Sequence, residues 1–398
     1  MTISATEAPQ YPMVRESPFD PPPEILRLLD EQPTSRVTLY SGQGAWLVTR
    51  YEDVRTLLTN PAVSADVRKS GYPVVSEALA HFTEGLLNHM DSPEHDRYRR
   101  MLVPKFMVKR IEQLRPEIAT TVDGLVDAML ASEKPVDLAS ALALAVPGQA
   151  VGALLGVPEA DREYFAKNAE SCLSGSLELA QAASKELHAY LQELVARRQV
   201  EPGDDLISQL VVEFVNPGAL TAEDLVIQSR LLLVAGFDTT ANMITLGLLL
   251  LMQHEEQFAA LRADPGLIPG AIEELLRYLT VTHRGRHRVA TQDIELSGQL
   301  IRAGEGVIAA QDAANRDPAV FERPNELDIR RPNARYHLAF GFGPHQCLGA
   351  SLARIELQVA FEAVLRKIPG IRLAVPLEDI RFKHESSVYG LYSMPVTW

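Results

Sequence analysis

A cysteine at position 347 sits in Phe340-Gly341-Phe342-Gly343-Pro344-His345-Gln346-Cys347-Leu348-Gly349, a glycine-studded loop that leads into a helix-forming stretch. Glycines let the backbone approach a flat ligand closely, and the N-terminus of the following helix offers free N–H groups that stabilise a thiolate. A thiolate held in this way suits iron, and its electron donation favours cleavage of the O–O bond of dioxygen at the metal. The alternative is a small buried hydrophobe in a tight turn, the common fate of a lone cysteine. The one other cysteine is Cys172, too little for a disulfide framework or for a zinc site built mainly from thiolates.

The second group is Ala235-Gly236-Phe237-Asp238-Thr239-Thr240, in the middle of an apolar run over residues 226–252. That run also carries Arg230 and Asp238, which are costly in lipid, so it reads as a long helix through a protein core. Polar groups buried at its centre are retained when paired or used. Around these groups the chain is organised simply. Residues 1–23 are proline-rich and read as an irregular arm, with a helix beginning at residues 24–29. Strand-like runs follow at 37–40 and 45–49. Helical periodicity dominates from 110 to 277, with breaks near Pro135, Pro147, Pro158, Pro202 and Pro217. Short strands are expected at 289–296 and 306–310, then a Pro- and Asn-rich meander over 315–333, a last long helix over 348–367 and a strand-rich tail over 371–398. No repeat or linker appears, so the expectation is one domain over residues 1–398, mainly α with a smaller β-rich part.

On these residues the chain resembles the cytochrome P450 family, whose cysteine loop reads Phe-Gly-x-Gly-x-His-x-Cys-x-Gly with a Leu-Ala-Arg in the next helix, here Leu352-Ala353-Arg354. The resemblance covers essentially the whole chain and is strongest to soluble bacterial, actinomycete-type members. It extends to Glu274 and Arg277, whose i, i+3 spacing sets a buried pair on one helical face. The same spacing recurs at Glu24/Arg27, Glu52/Arg55 and Glu112/Arg115, which read as solvated faces, so position ahead of the cysteine loop selects the pair at 274. The resemblance implies the cytochrome P450 fold, with heme b (iron protoporphyrin IX) between the long central helix and the cysteine-loop helix and Cys347 as the metal ligand. It places Ala235, Gly236, Phe340 and Gly349 against the cofactor, with Gly236 leaving room for O2. Thr239 hydrogen-bonds the bound oxygen and Asp238 relays protons. His95 and Arg99, one helical turn apart, hold a heme propionate together with Arg288 and His345. Phe237 stands where bacterial relatives often have histidine.

The implied activity is that of a monooxygenase inserting one atom of O2 into a bulky, mostly apolar small molecule, a polyketide, terpenoid, sterol-like compound or drug. Electrons would come from NAD(P)H through ferredoxin reductase and ferredoxin. Peroxide-driven chemistry and a non-catalytic heme sensor are the competing readings, and the Asp238-Thr239 pair argues against the sensor. The net charge of −14, from 38 basic and 52 acidic residues, argues against a nucleic-acid partner. Residues 1–22 hold Glu7, Arg15, Glu16 and Asp20 and no unbroken apolar stretch, so no signal peptide or membrane anchor and a cytoplasmic location are expected. Against that acidity, Arg97, Arg99, Arg100, Lys105, Lys109, Arg110 and Arg115 form a basic island that could dock an acidic ferredoxin. Arg284 and Arg286 precede Arg288 in a segment expected to line the substrate pocket. Either one supports the propionates and the other turns to solvent, or Arg284 reads an acidic or carbonyl group of the substrate.

Overall fold

The computed structural model describes residues 8–74, 85–172 and 177–398. Its axis is the helix formed by the long apolar run, Ala222–Met252, which begins on a capping box in which the Thr221 side chain accepts from Asp224 N–H and the Asp224 carboxylate accepts from Thr221 N–H. We number the helices of nine residues or more. They are α1 (Pro23–Glu31), α2 (Tyr51–Thr59), α3 (Glu94–Leu102), α4 (Arg115–Ala131), α5 (Ala145–Leu155), α6 (Arg162–Cys172), α7 (Leu177–Val200), α8 (Ala222–Met252), α9 (Glu255–Ala263), α10 (Ile268–Leu279) and α11 (Ala350–Lys367). α8 packs on α5, α7, α10 and α11, and its residues from Ala241 to Leu251 are buried on every side. A helix apolar all round belongs inside a core. It is the one helix among the described residues long and apolar enough to cross a membrane, and 67% of its most apolar window is buried in protein. α11 lies across α4, where Arg366 and Lys367 at its C-terminal end meet Asp123 and Asp127.

The sheet-rich part holds six strands in the order β1 (Gln10–Tyr11), β2 (Thr34–Leu39), β3 (Gly44–Val48), β9 (Gly306–Ala309), β6 (Arg286–Ala290) and β4 (Val63–Ser64). Alternation of side chains sends Trp46, Val48, Val307 and Ala309 to one face, against Tyr51 and Leu57 of α2. Leu47 and Ile308 go to the other face, against Ile25 and Leu28 of α1. β6 runs antiparallel to both β9 and β4, with Arg288 opposite Val307 and Arg286 opposite Ala309.

Four expectations need correction. The arm over residues 1–23 is not wholly irregular, because β1 pairs in parallel with β2, matching Tyr11 to Leu39. Pro147 lies inside α5; in a first turn its missing N–H has no intrahelical partner to lose. The single strand expected over 289–296 is split between β6 and a hairpin of β7 (Ile294–Leu296) and β8 (Gln299–Ile301). Ser297 and Gly298, at φ 46° and 74°, supply the two left-handed residues that such a tight turn demands. The tail is mostly loop, with β10 (Arg372–Leu373) and β11 (Pro395–Thr397), the latter also pairing with β5 (Val136–Asp137).

The pair at 274 is buried as expected. Arg277 Nε donates to Glu274 at 2.7 Å, both side chains are fully enclosed, and Arg277 Nη1 also donates to the carbonyls of Asn315 and Pro324. Arg331 joins them at 3.1 Å from Glu274, so one carboxylate serves two guanidiniums and pins both ends of the meander to α10. Asn315 carries the order onward. Its amide donates to Thr280 Oγ1 and its oxygen accepts from Leu338 N–H, just before the cysteine loop.

Candidate active site

Between α8 and the cysteine loop lies a cavity of about 570 Å³. On its floor the loop backbone takes left-handed φ at Gly341 and Gly343, 76° and 73°. A Cβ at Gly343 would meet the Leu58 carbonyl at 2.9 Å, so only glycine lets the loop lie against α2. Cys347 N–H donates to Phe340 O at 2.7 Å, which closes the loop. The Cys347 side chain has free surface only because it faces the cavity. Burial pushes its thiol above the ordinary value, while Arg286, the Gly349 N–H and Arg99 pull the other way. For the free thiol, therefore, desolvation outweighs the helix N-terminus. Phe340 and Gly349 also line the cavity, and Arg354 of α11 lies over the Phe340 ring at 4.7 Å.

The expected anion partners converge on the same end. His95 from α3 is buried, its Nε2 lacks a partner, and its ring lies 4.2 Å from that of His345. Arg99 Nη2 donates to Gln346 O at 2.6 Å and Arg288 Nη1 to His287 O at 2.7 Å. Arg286 leaves β6 on the same face as Arg288 and acts on the Cys347 sulfur. Burial lowers the pKa of Arg99, Arg286 and Arg288, and burial together with Arg288, His95 and Arg99 drives His345 to about 2. Arg99, Arg286 and Arg288 crowd a desolvated space in which Asp96 meets only the outer nitrogen of His95 and Asp91 acts on Arg288 alone, and that excess of positive charge calls for anions. The two propionates of heme b answer that requirement, and the thiol and glycine-rich floor fit its flat face.

On the opposite wall α8 presents Ala235, Gly236 and Thr239. Thr239 Oγ1 donates to Ala235 O at 2.8 Å, leaving the hydroxyl oxygen free to accept. A Cβ at Gly236 would come within 3.1 Å of Val151 Cγ2, so its smallness serves the close crossing of α5 as well as the cavity. Phe237 is buried against Gly148 of α5. Asp238 is buried, and its carboxylate meets Lys383 Nζ at 3.3 Å. Sequence reasoning missed Lys383, which comes from the irregular tail. It also missed Glu356, whose signal is a lone carboxylate on an apolar face of α11. Burial pushes Glu356 up to about 8, offset by a hydrogen bond with Thr240 across from α8.

Arg284 has a backbone partner away from the cavity floor, while its buried Nε has none among the described residues. It borders the cavity, but its Nη2 donates to the carbonyl of Glu385 and its charge lies near Tyr11 and Tyr40. Arg286 is the residue that faces the floor, as its two-residue offset from Arg288 on a strand would have indicated. The basic island is also smaller than its composition. Lys105 is buried and paired with Glu213, Arg115 pairs with Glu112, Arg97 reaches Ala219 O, and the half-buried Arg99 borders the cavity and is tied to Gln346 O.

The cytochrome P450 family model matches residues 160–265 and 266–379. Cytochrome P450 GfsF of Streptomyces halstedii is 45% identical over 99% of this chain and 97% of its own length. Its crystal structure superposes with a TM-score of 0.94 over 98% of this chain and 100% of that one. Pentalenic acid synthase of Streptomyces avermitilis is 45% identical over 100% of this chain and 98% of its own. The mycinamicin VIII C21 methyl hydroxylase MycCI of Micromonospora griseorubida, solved with mycinamicin VIII bound, is 38% identical and gives a TM-score of 0.92, covering 98% of this chain and 100% of that one. The thiol floor, the cationic edge, the threonine wall and these full-length likenesses agree: the chain belongs to the cytochrome P450 family, as a bacterial, actinomycete-type monooxygenase with heme b as cofactor.

Proposed function

We propose that this oxidoreductase hydroxylates or epoxidises a bulky, mostly apolar small molecule of secondary metabolism. The observation that carries the reading is one cavity that gathers Cys347, the cationic edge and Thr239 while its remaining wall is mostly apolar, with Leu231, Leu232, Val234, Met243, Val281 and Val388 among its lining. Relatives named for making pentalenic acid and for hydroxylating a methyl group of mycinamicin VIII support that substrate class.

Bound heme b supplies the redox centre at which one atom of O2 enters the substrate and the other leaves as water. Cys347 would hold the heme iron through its thiolate, and Arg286 and Arg99 would offset the charge of that sulfur. His95, Arg99, Arg288 and His345 would hold the propionates. Water formation requires two protons, and the free oxygen of the Thr239 hydroxyl faces the cavity where they are needed. Asp238, held by Lys383, is the carboxylate that passes them from the outside.

Bacterial relatives generally take electrons from redox partners such as ferredoxin. For this chain we assign docking to the outer side of α3 and the segment after it. Arg99 ties α3 to the cysteine loop, and Arg100 and Lys109 stand exposed beside Val103, Met107 and Val108, which are 41%, 59% and 64% exposed. Charge rimming exposed apolar side chains is a transient docking surface. Electrons from NAD(P)H would then reach the heme through ferredoxin reductase and ferredoxin. The acidic charge and the burial of α8 support a single cytoplasmic domain acting on neither nucleic acid nor membrane. Turnover with NADPH, reductase and ferredoxin under ¹⁸O₂ should put one labelled oxygen atom into product. Equal product from peroxide alone, with no reductant requirement, would replace this reading by peroxide-driven chemistry.

A further inference from the structure

The cations of the cavity are not all at its floor. Arg230 lines it from α8, together with Cys172 of α6 and Ala180 and Ser184 of α7. Among the described residues its guanidinium makes one hydrogen bond, Nη1 to Ser184 Oγ at 2.9 Å, and no carboxylate forms an ion pair with it. Glu223, two turns earlier on α8, is taken by His188 at 3.2 Å and Gln192 at 3.2 Å. Burial lowers the Arg230 pKa, and the side chain acts on the Cys172 thiol rather than on Cys347. The floor cations differ on each count, since Arg99 and Arg286 act on Cys347 and belong to the propionate end.

A guanidinium with one neutral hydrogen-bond partner among the described residues, with Glu223 acting on it only through space, half-removed from water and bordered by leucine and valine, is poorly satisfied by those residues. We propose that Arg230 anchors the substrate by an acidic group: the molecule oxidised here carries a carboxylate at one end of an apolar body and presents the other end to Thr239. The anchor deepens the monooxygenase reading and rests on it for the position of the oxidised carbon. Gly236 and Thr239 follow Arg230 by six and nine residues. At ~1.5 Å per residue they stand roughly 9 to 14 Å further along the α8 axis. Side chains on a helix tilt toward its N-terminus, which lengthens the gap. The substrate is therefore an amphipathic acid oxidised about ten carbon–carbon bonds or a fused-ring skeleton away from its carboxylate, and Ser184 orients the guanidinium toward it.

The test is binding to the heme-loaded full chain, read by the shift of the heme absorption band and independently by calorimetry. The panel is dodecanoic acid, a monocyclic terpenoid acid and a tricyclic resin acid, each beside its methyl ester. Wild type should bind at least one acid about ten- to a hundredfold more tightly than its ester, the range for a hydrogen-bonded charge pair. Arg230→Leu and Arg230→Gln should each abolish that preference while leaving ester affinity within about twofold, and Arg284→Leu should keep it. If no acid outbinds its ester, or if the ratio survives in both Arg230 variants, the anchor is wrong. A bound acid that yields no oxygenated product with ferredoxin and reductase would instead count against the monooxygenase reading and leave the anchor standing.

Discussion

At the scale of single residues, the site divides into groups whose neighbours are visible in the sequence and groups whose neighbours are not. Cys347, His345 and Gly349 share one loop, and Asp238 and Thr239 share one helix turn, so local spacing sufficed. Replacing Cys347 by Ala should abolish the red-shifted absorption of the reduced, carbon-monoxide-bound protein, because Cys172 lies at the α6 end of the cavity and cannot substitute. An unchanged spectrum would remove Cys347 as the ligand. Thr239→Ala deletes the hydroxyl facing the cavity but no hydrogen bond to another element. Substrate affinity should hold while product per electron consumed falls severalfold and peroxide rises; coupling equal to wild type would take Thr239 out of proton delivery. Glu356 was illegible because its partner, Thr240, is distant in sequence. With its folded pKa near 8, above its unfolded value, it keeps a proton between about pH 4.5 and 8 that the unfolded chain has released. Its contribution is therefore fully present below the unfolded pKa and is lost as pH rises toward 8, by up to about 1.4 kcal/mol per pH unit. Glu356→Gln should gain on wild type in thermal stability between pH 5 and pH 8. A constant difference across that range would show that this carboxyl titrates normally.

At the scale of elements, long periodic helices were readable and short strands were not. α8 and α11 announce themselves by apolar length, whereas β1 and β4 have two residues each and exist only through their sheet partners. The tail failed for a related reason: alternation over residues 371–398 reflects burial against the helical core rather than a ladder. The Glu274–Arg277 pair was legible by position, but Arg331 was not, since nothing local distinguishes it from other arginines of the meander. Arg277→Ala would leave Glu274 enclosed with only Arg331 and the Asp328 N–H and strip the carbonyls of Asn315 and Pro324 of a donor. Breaking a buried pair this way costs on the order of 3–5 kcal/mol. The expected outcome is protein that loses heme on gel filtration, because the meander leads directly into the Leu338 contact before Cys347. Retention of heme at wild-type stoichiometry would show that the cysteine loop holds itself.

At the scale of the whole molecule, the formal charge of −14 hides an uneven surface. Composition alone overestimated the basic island, since burial and pairing are three-dimensional facts that removed Lys105, Arg115 and Arg99 from it. What remains exposed, Arg100 and Lys109 around Val103, Met107 and Val108, is the part that can attract an acidic partner. Reversing Arg100 and Lys109 to Glu should slow reduction by ferredoxin about tenfold or more at low ionic strength and flatten its salt dependence. Equal rates at low salt would move the docking face elsewhere. The division between floor and roof has a further consequence. Arg286 and Arg288 come from β6 and Arg99 from α3, while Arg230 and Ser184 come from α8 and α7, with Arg230 two turns before the Gly236–Thr239 stretch of α8. Distant positions without shared partners contribute nearly additively. Mutational drift in the roof can therefore sample new ligands without eroding cofactor retention, so an ancestor of this chain could have changed its diet many times while remaining the same catalyst.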